Sequence, residues 1–540
     1  MHRSRSNRSS RRPLRAGVAA VAALGLAALG LAAPSSAGAI STRAAVPSRV
    51  PTEVEIQAAI AQVDTLAQDL MTKSGMPGMA VAVVHNGTIA FEKGYGVRRI
   101  GHPEPIDTDT VFQLASVSKS VGATVIASEV SKGAVSWDTP VRAHLPSLAL
   151  SDPYVAKHVT IADMYSHRSG LTEHAGDLLV ELGASVAQMI QKTGLEPLHP
   201  FRTAMRYTNT GMAEAAYSVA NAAGTSWAAL SQRDIYGPLS MTRTSSRFHD
   251  FVSRANHAWT HQYVNGAYVV GPVLDDDVQS PSGGVSSSVH DMAKWLTMLL
   301  HSGQYNGKQV VSSDALLQAL LPRVINQPAS TPAGRTGFYG YGFNIDTTQT
   351  LGTKISHSGA FSAGESTNYV ALPSIDTGIV VLTNGYPLGY PEVLGAEFAD
   401  LLEHGSLTQD WFGLYTPVFK ALGGPKGKLV GKKRPTNPVP ARALSAYVGT
   451  YPNAYFGAAT VTKRGSRLFV TLGYNRTTYR LVHWSGGLFT FTPTGENATP
   501  GTISGASFTK MTGGRAHRLT LEYFDANEDG TTSGHGVFLR

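Results

Sequence analysis

The sequence predicts an α/β or α+β domain followed by a small antiparallel β-barrel, on three observations. Strand patterns occur near both ends of residues 52–405 with a helical block between them. A sheet drawn from both ends of a domain, with helices packed on it, is α/β or α+β. Residues 423–440 are Gly, Pro, Lys and Arg with few apolar side chains, which is linker chemistry. Beyond them, short strand patterns separated by turn residues fill 441–540, as in a small antiparallel barrel.

Residues 52–73 have helical periodicity, with Val54, Ala58, Ala61, Leu66 and Leu70 on successive turns, and Gly75 and Pro77 end the helix. Residues 79–84 read as a buried strand, Asn86-Gly87 as a two-residue hairpin turn, and 88–92 as the return strand. The Ala/Val-rich stretch 117–131 predicts a helix closed by Lys132-Gly133. From about 134 to 340 the pattern is mostly helices and loops. Its clearest helix is 288–301, with Ser288 as N-cap and Asp291 in the first turn. Strand signals return at 354–357, 369–372 and 378–382, and an amphipathic helix follows at 391–403. After the linker, strands are expected at 447–451, 458–463, 467–472, 477–482, 488–492, 502–508, 517–524 and 535–539.

Composition narrows the function classes. Charged residues are 15% of the chain and hydrophobic residues 42%, the reverse of the charge-rich, apolar-poor make-up of disordered chains. With no Cys, a disulfide framework, a thiolate zinc site, an iron–sulfur cluster and a cysteine nucleophile are excluded. The formal charge of +8 is concentrated at two places. Residues 1–39 hold six Arg and no acid, and 426–434 hold five Lys and Arg. Without both, 34 bases face 37 acids, so the body offers no electrostatic case for a nucleic-acid partner. The start of the chain has the layout of a cleavable signal peptide: a basic 1–15, an Ala/Gly/Val/Leu run over 16–33, and Ala37-Gly38-Ala39 as the cleavage pattern. Ser10-Arg11-Arg12-Pro13-Leu14-Arg15 resembles a twin-arginine export motif, with Pro13 as a departure. The expectation is a secreted protein beginning near Ile40, with no membrane span after cleavage.

Three segments carry chemistry. In Ser116-Val117-Ser118-Lys119 the hydroxyl and amine stand one helical turn apart on one face. A desolvated lysine can be neutral near pH 7 and serve as the base for the serine, and a helix start supplies N–H groups for a developing oxyanion. In Arg206-Tyr207-Thr208-Asn209-Thr210-Gly211, Tyr207 and Asn209 can face one cleft, the first relaying a proton and the second binding an amide. His357-Ser358-Gly359-Ala360 lies at a strand signal, where Gly359 would let a substrate backbone approach closely.

These three motifs, in this order, resemble those of the serine β-lactamase and penicillin-binding protein superfamily, in particular its class C and D-alanyl-D-alanine carboxypeptidase branch. Residues 160–171 and 282–288 resemble flanking segments of the same family. The resemblance covers about 52–405 and implies an antiparallel sheet with a helical subdomain. It also implies roles: Ser116 as nucleophile, Lys119 and Tyr207 as the base system, and Asn209 holding Lys119 and the acyl-side amide. Ser358 would bind a substrate carboxylate or amide, and the N–H groups of Ser116 and Ala360 would form the oxyanion hole. His357 stands where many lactamases carry Lys. It supplies a cation only when protonated, near an unperturbed pKa of about 6.5, which favours a peptidase or esterase over an efficient β-lactamase. Residues 441–540, through Tyr447-Val448-Gly449-Thr450-Tyr451 and the 519–523 strand, resemble the lipocalin-like barrels that follow such domains in some D-peptidases. Such a barrel would lend a loop to the cleft, bind cell-wall material or only stabilise.

The expected function is a secreted serine hydrolase forming an acyl-enzyme on small peptides or esters, cell-wall peptides among them, with no metal and no cofactor. A D-amino-acid-directed peptidase such as a D-alanyl-D-alanine carboxypeptidase comes first, and an esterase, a β-lactamase or a non-catalytic peptidoglycan-peptide binder are the alternatives. Asp525 to Gly530 begins like an EF-hand loop, but its twelfth position is Gly536, where calcium needs a bidentate Glu.

Overall fold

The computed structural model describes residues 50–527 and 531–540. The 1–39 leader and part of the EF-hand-like turn lie outside the described residues. Among those described, no helix is long and apolar enough to cross a membrane. The elements that position the site are, in order, α1 (Glu53–Ser74), β1 (Gly78–His85), β2 (Thr88–Gly96), α2 (Ser118–Ser131), α3 (Asp177–Glu181), α4 (Asn209–Ala222) and α5 (Val289–Leu300), then β3 (Val324–Gln327), β4 (Gly337–Tyr339), β5 (Asn344–Thr347), β6 (Thr353–Phe361), β7 (Glu365–Leu372), β8 (Thr377–Thr383), α6 (Tyr390–His404) and α7 (Trp411–Leu422).

Local chemistry sets the ends of these elements. The Thr52 hydroxyl accepts from the Glu55 N–H while the Glu55 carboxylate accepts from the Thr52 N–H at 2.8 Å, a reciprocal cap that starts α1. Gly75, at φ +61°, ends it in a left-handed turn. Asn86 and Gly87 both have positive φ, which joins β1 to β2 with the twist a two-residue hairpin needs. Ser288 caps α5 by accepting from the Asp291 N–H.

The eight strands form one antiparallel sheet in the order β2-β1-β8-β7-β6-β5-β4-β3. Both faces are covered, so β1 is buried along its whole length and its period-two alternation feeds two cores. Met79, Val81 and Val83 pack with Ile60, Val63, Val393 and Phe398 of α1 and α6. Ala80, Ala82 and Val84 face Val121, Val125, Trp295 and Leu296 of α2 and α5. The sheet is therefore a wall between two helical layers, and α2 is a central helix of the inner one, with twelve of its fourteen residues buried.

Several elements differ from expectation. β3, β4 and β5, three strands of the main sheet, fall in a stretch where no strand was expected. β6 runs on to Phe361, because His357 to Phe361 continue the antiparallel register with Tyr369 to Glu365 despite their small side chains. Helix α7 was not anticipated. Pro417 inside it interrupts the helical pattern, and packing of Trp411, Phe412 and Tyr415 against the α1/α6 core stabilises it.

Residues 441–540 form an eight-stranded antiparallel meander, Gly449–Tyr451 through Val537–Leu539, each strand paired with the next in sequence. The Leu539 N–H donates to the Pro452 carbonyl at 3.1 Å, and Arg540 donates to the Val448 carbonyl at 2.9 Å, so the first and last strands meet and the barrel nearly closes. Its core is aromatic, with Tyr447, Tyr451, Phe489, Phe508 and Phe524 buried together. Leu179, Leu182 and Ala184, from α3 and the turn after it in the first domain, complete that core.

Candidate active site

The chain turns sharply into α2. Ala115 takes a positive φ of 46°, a conformation that non-glycine residues hold at a cost of about 1–3 kcal/mol. Ser116 follows, in a single 3₁₀ turn at the head of α2. Gly359 of β6 makes this turn possible. A Cβ there would collide with the Leu114 carbonyl and stand 3.1 Å from the Ser116 nitrogen. Its glycine thus lets the strand lie against the nucleophile turn itself, a closer requirement than the substrate approach expected of it.

Ser116, Lys119, Tyr207 and Asn209 converge. Lys119 Nζ donates to Ser116 Oγ at 2.9 Å, to Asn209 Oδ1 at 2.7 Å and to the Ser282 carbonyl at 2.9 Å. The Tyr207 hydroxyl donates to Ser116 Oγ at 2.8 Å. Lys119 is wholly buried, and burial pushes its amine down to about 7, against a partial upward pull from Asp177 and Asp276. Burial moves the Tyr207 phenol the other way, up from its ordinary value. A neutral amine keeps two N–H groups, which Asn209 and Ser282 can take, leaving the lone pair for the Ser116 proton. The geometry therefore sets an amine that can be neutral near pH 7 and a phenol that keeps its proton on one serine oxygen.

The four residues of the late strand separate. Ala360 lines the cleft. His357 is fully buried behind it; its Nδ1–H donates to the Ser358 carbonyl at 2.7 Å, so Nε2 accepts from Tyr339 Oη at 2.9 Å. Burial, with Lys119 nearby, pushes His357 down to about 3, and it carries no charge near neutrality. Ser358 points to the opposite face of the sheet, where Asn368 Nδ2 donates to its hydroxyl at 3.1 Å. His357 and Ser358 thus support the wall and do not face the cavity.

Residues outside the three motifs complete the site. Asp177 accepts from Asn209 Nδ2 and His174 Nδ1 at 2.9 Å each, and from Gln279 at 2.9 Å. His167 lies 4.5 Å from the Tyr207 ring, centre to centre, and accepts the Thr208 N–H at 3.1 Å. The barrel lends a loop: Gly495, Glu496, Asn497 and Thr499 line the cavity of about 230 Å³ that holds Ser116. The Glu496 carboxylate accepts from the N–H groups of Ser362 at 2.6 Å and Ala363 at 3.1 Å, just past β6. Among the described residues, no group of three or more His, Asp or Glu is placed to hold a metal.

Both domains match known families. The family model described as Beta-lactamase matches residues 63–402, and a domain of unknown function, DUF3471, matches 433–533. The unguisins hydrolase of Aspergillus violaceofuscus is 25% identical over 71% of this chain and 73% of its own length. Penicillin-binding protein 4 of Amycolatopsis lactamdurans is 29% identical over 58% of this chain and 83% of its own. Penicillin-binding protein 4* of Bacillus subtilis is 23% identical, over 55% and 66%. The octameric penicillin-binding protein homologue from Pyrococcus abyssi shares the fold, with a TM-score of 0.55 at 18% identity over 86% of this chain and 98% of that one.

Proposed function

The chain belongs to the β-lactamase family of serine hydrolases, and from that premise we propose that it is a hydrolase acting through an acyl-enzyme on Ser116, with peptides containing D-amino acids as substrates. The observation that carries the reading is the pair of contacts at one oxygen: Lys119 Nζ at 2.9 Å and Tyr207 Oη at 2.8 Å from Ser116 Oγ. Neutral Lys119 takes the Ser116 proton as Oγ adds to the substrate carbonyl. The N–H groups of Ser116 and Ala360 receive the oxyanion, each worth about 3 kcal/mol in such sites. Tyr207 gives its proton to the leaving nitrogen and is reprotonated from Lys119. Water, activated by the same amine, then releases the acid. Export through cleavage of the 1–39 leader belongs to the same proposal, and N-terminal sequencing of the exported protein tests it.

Within this class, a D-alanyl-D-alanine carboxypeptidase needs a cation for the terminal carboxylate of its substrate, and a neutral, buried His357 does not supply one. Electrostatics favour a peptidase of other end-specificity. An esterase is the second reading, favoured by the apolar side chains of Leu274, Phe361, Phe419 and Leu422 on the cavity wall. A fluorophosphonate or fluorescent penicillin should label the wild type and not Ser116→Ala; equal labelling of both would remove Ser116 from the chemistry. A panel of a D-Ala-D-Ala peptide, an aryl acetate and a chromogenic cephalosporin ranks peptidase, esterase and lactamase.

A further inference from the structure

Tyr207 stands in irregular backbone just ahead of α4, so no helix or strand register fixes its ring. His167 grips that backbone on both sides. Its carbonyl accepts from the Arg206 N–H at 2.8 Å, and its Nδ1 accepts from the Thr208 N–H at 3.1 Å. Its ring lies against the Tyr207 ring, with centres 4.5 Å apart and planes tilted by 34°. The imidazole also meets the Tyr339 ring at 5.1 Å. Tyr339 is tied through His357 to the Ser358 carbonyl of β6. His167 therefore links the Tyr207 turn to the wall that carries β6.

This placement is held against two costs. His167 has a φ of +57°, in the left-handed region that a residue other than glycine occupies only at a cost. It is fully buried, and among the described residues its Nε2 has no hydrogen-bond partner. Because Nδ1 accepts, the neutral ring carries its proton on that Nε2, and a buried N–H left unpaired is costly as well. Burial, with Lys119, His357 and His174 adding to it, holds the imidazole well below its ordinary value, so the ring is neutral and Nδ1 stays an acceptor. Backbone strain and an orphaned polar group at one residue mark a place where the surrounding structure enforces a geometry for use. What His167 fixes is Tyr207, whose hydroxyl stands 2.8 Å from Ser116 Oγ.

We propose that His167 is a positioning residue for proton transfer to the leaving group: it holds the Tyr207 hydroxyl between Ser116 and the departing atom and takes no proton itself. The inference rests on the acyl-enzyme reading of Ser116 with Tyr207 as the donor. The departing oxygen or nitrogen takes the Tyr207 proton as its bond to the acyl carbon breaks. Lys119, which received the Ser116 proton, returns one to Tyr207. A leaving group that departs as a stable anion needs that proton little, and a basic one needs it fully. Loss of His167 should therefore discriminate between the two, which a general loosening of the fold would not.

The test uses the full chain with p-nitrophenyl acetate and phenyl acetate, which form the same acetyl-enzyme and differ in the basicity of the leaving phenoxide. In His167→Ala the ratio of kcat/KM for p-nitrophenyl acetate to that for phenyl acetate should rise by about 100-fold, the scale of such misplacements. In His167→Asn it should rise less, by about 10-fold, because the Asn amide oxygen can still accept from the Thr208 N–H and Asn tolerates a positive φ. An unchanged ratio in both variants overturns the proposal, whatever their absolute rates. If His167→Ala does not fold, the ratio in His167→Asn decides alone. If the wild type cleaves neither ester, crystal structures decide: the Tyr207 hydroxyl should leave hydrogen-bond reach of Ser116 Oγ in His167→Ala, and a Tyr207 that stays in place overturns the proposal. Fluorophosphonate labelling lost in Ser116→Ala, together with an unchanged ratio, defeats the positioning role and leaves the hydrolase reading standing. Labelling that persists in Ser116→Ala defeats both.

Discussion

Lys119 sets two quantities at once, because one amine is both base and buried charge. Only its neutral form accepts the Ser116 proton, and its amine is pushed down to about 7. Acylation should therefore rise with pH as one proton is lost near 7, as read from the pH profile of fluorophosphonate labelling. The sign for stability follows from the same depression. The unfolded chain holds this proton up to its ordinary value near 10.4, the folded chain only to about 7, so protons favour unfolding between those limits. Lys119→Met should then lose acylation and still raise the melting temperature at pH 6, by a margin that shrinks as pH rises above 7. A gain equal at pH 6 and pH 10 would contradict the buried-charge account. The Ser116, Lys119, Tyr207 and Asn209 set was legible in sequence because each pair is fixed by local spacing, three residues in a helix or two in a turn. Asp177, Asp276 and Glu496 were not, because a lone acid in a loop gains meaning only from the fold that carries it to the cleft. His357 was legible as a member of the site, but its burial was not, since no local pattern encodes Tyr339 beside it.

β6 is the element on which the cleft depends, and its small residues explain why. Gly359 lets the strand rest on the Ser116 turn, whose positive φ at Ala115 is held there by the contact. Gly359→Ala should shift that turn by about 1 Å and slow acylation by about 100-fold, the scale of such misplacements. The circular dichroism of the sheet should be retained; a labelling rate within two-fold of wild type would show that the strand yields instead. A strand was expected here only over 354–357, and its continuation through Ser358-Gly359-Ala360 is imposed by pairing with β7. α7 was unreadable for the converse reason: Pro417 speaks against a helix locally, and only tertiary packing answers it.

At the scale of the molecule, α3 fastens two domains to one site. Asp177 at its head holds Asn209, and Leu179, with Leu182 just beyond it, lies in the barrel core. Glu181 accepts from Tyr523 and Asn497 of the barrel. Leu182→Ala should cost about 2–5 kcal/mol in stability. It should also slow labelling of Ser116, although it touches neither Lys119 nor Tyr207. Hydrogen exchange would show loosening in both domains at once; protection lost in the barrel alone would deny the coupling. The eight barrel strands were readable from regular turn spacing, but their dependence on α3 was not, since the linker at 423–440 looks like a clean joint. That joint misleads anyone who would recombine these modules. A chimera cut at the linker leaves an unfilled hole in the transplanted barrel and a greasy stump on its former host, so the transferable unit is the barrel together with residues 174–184.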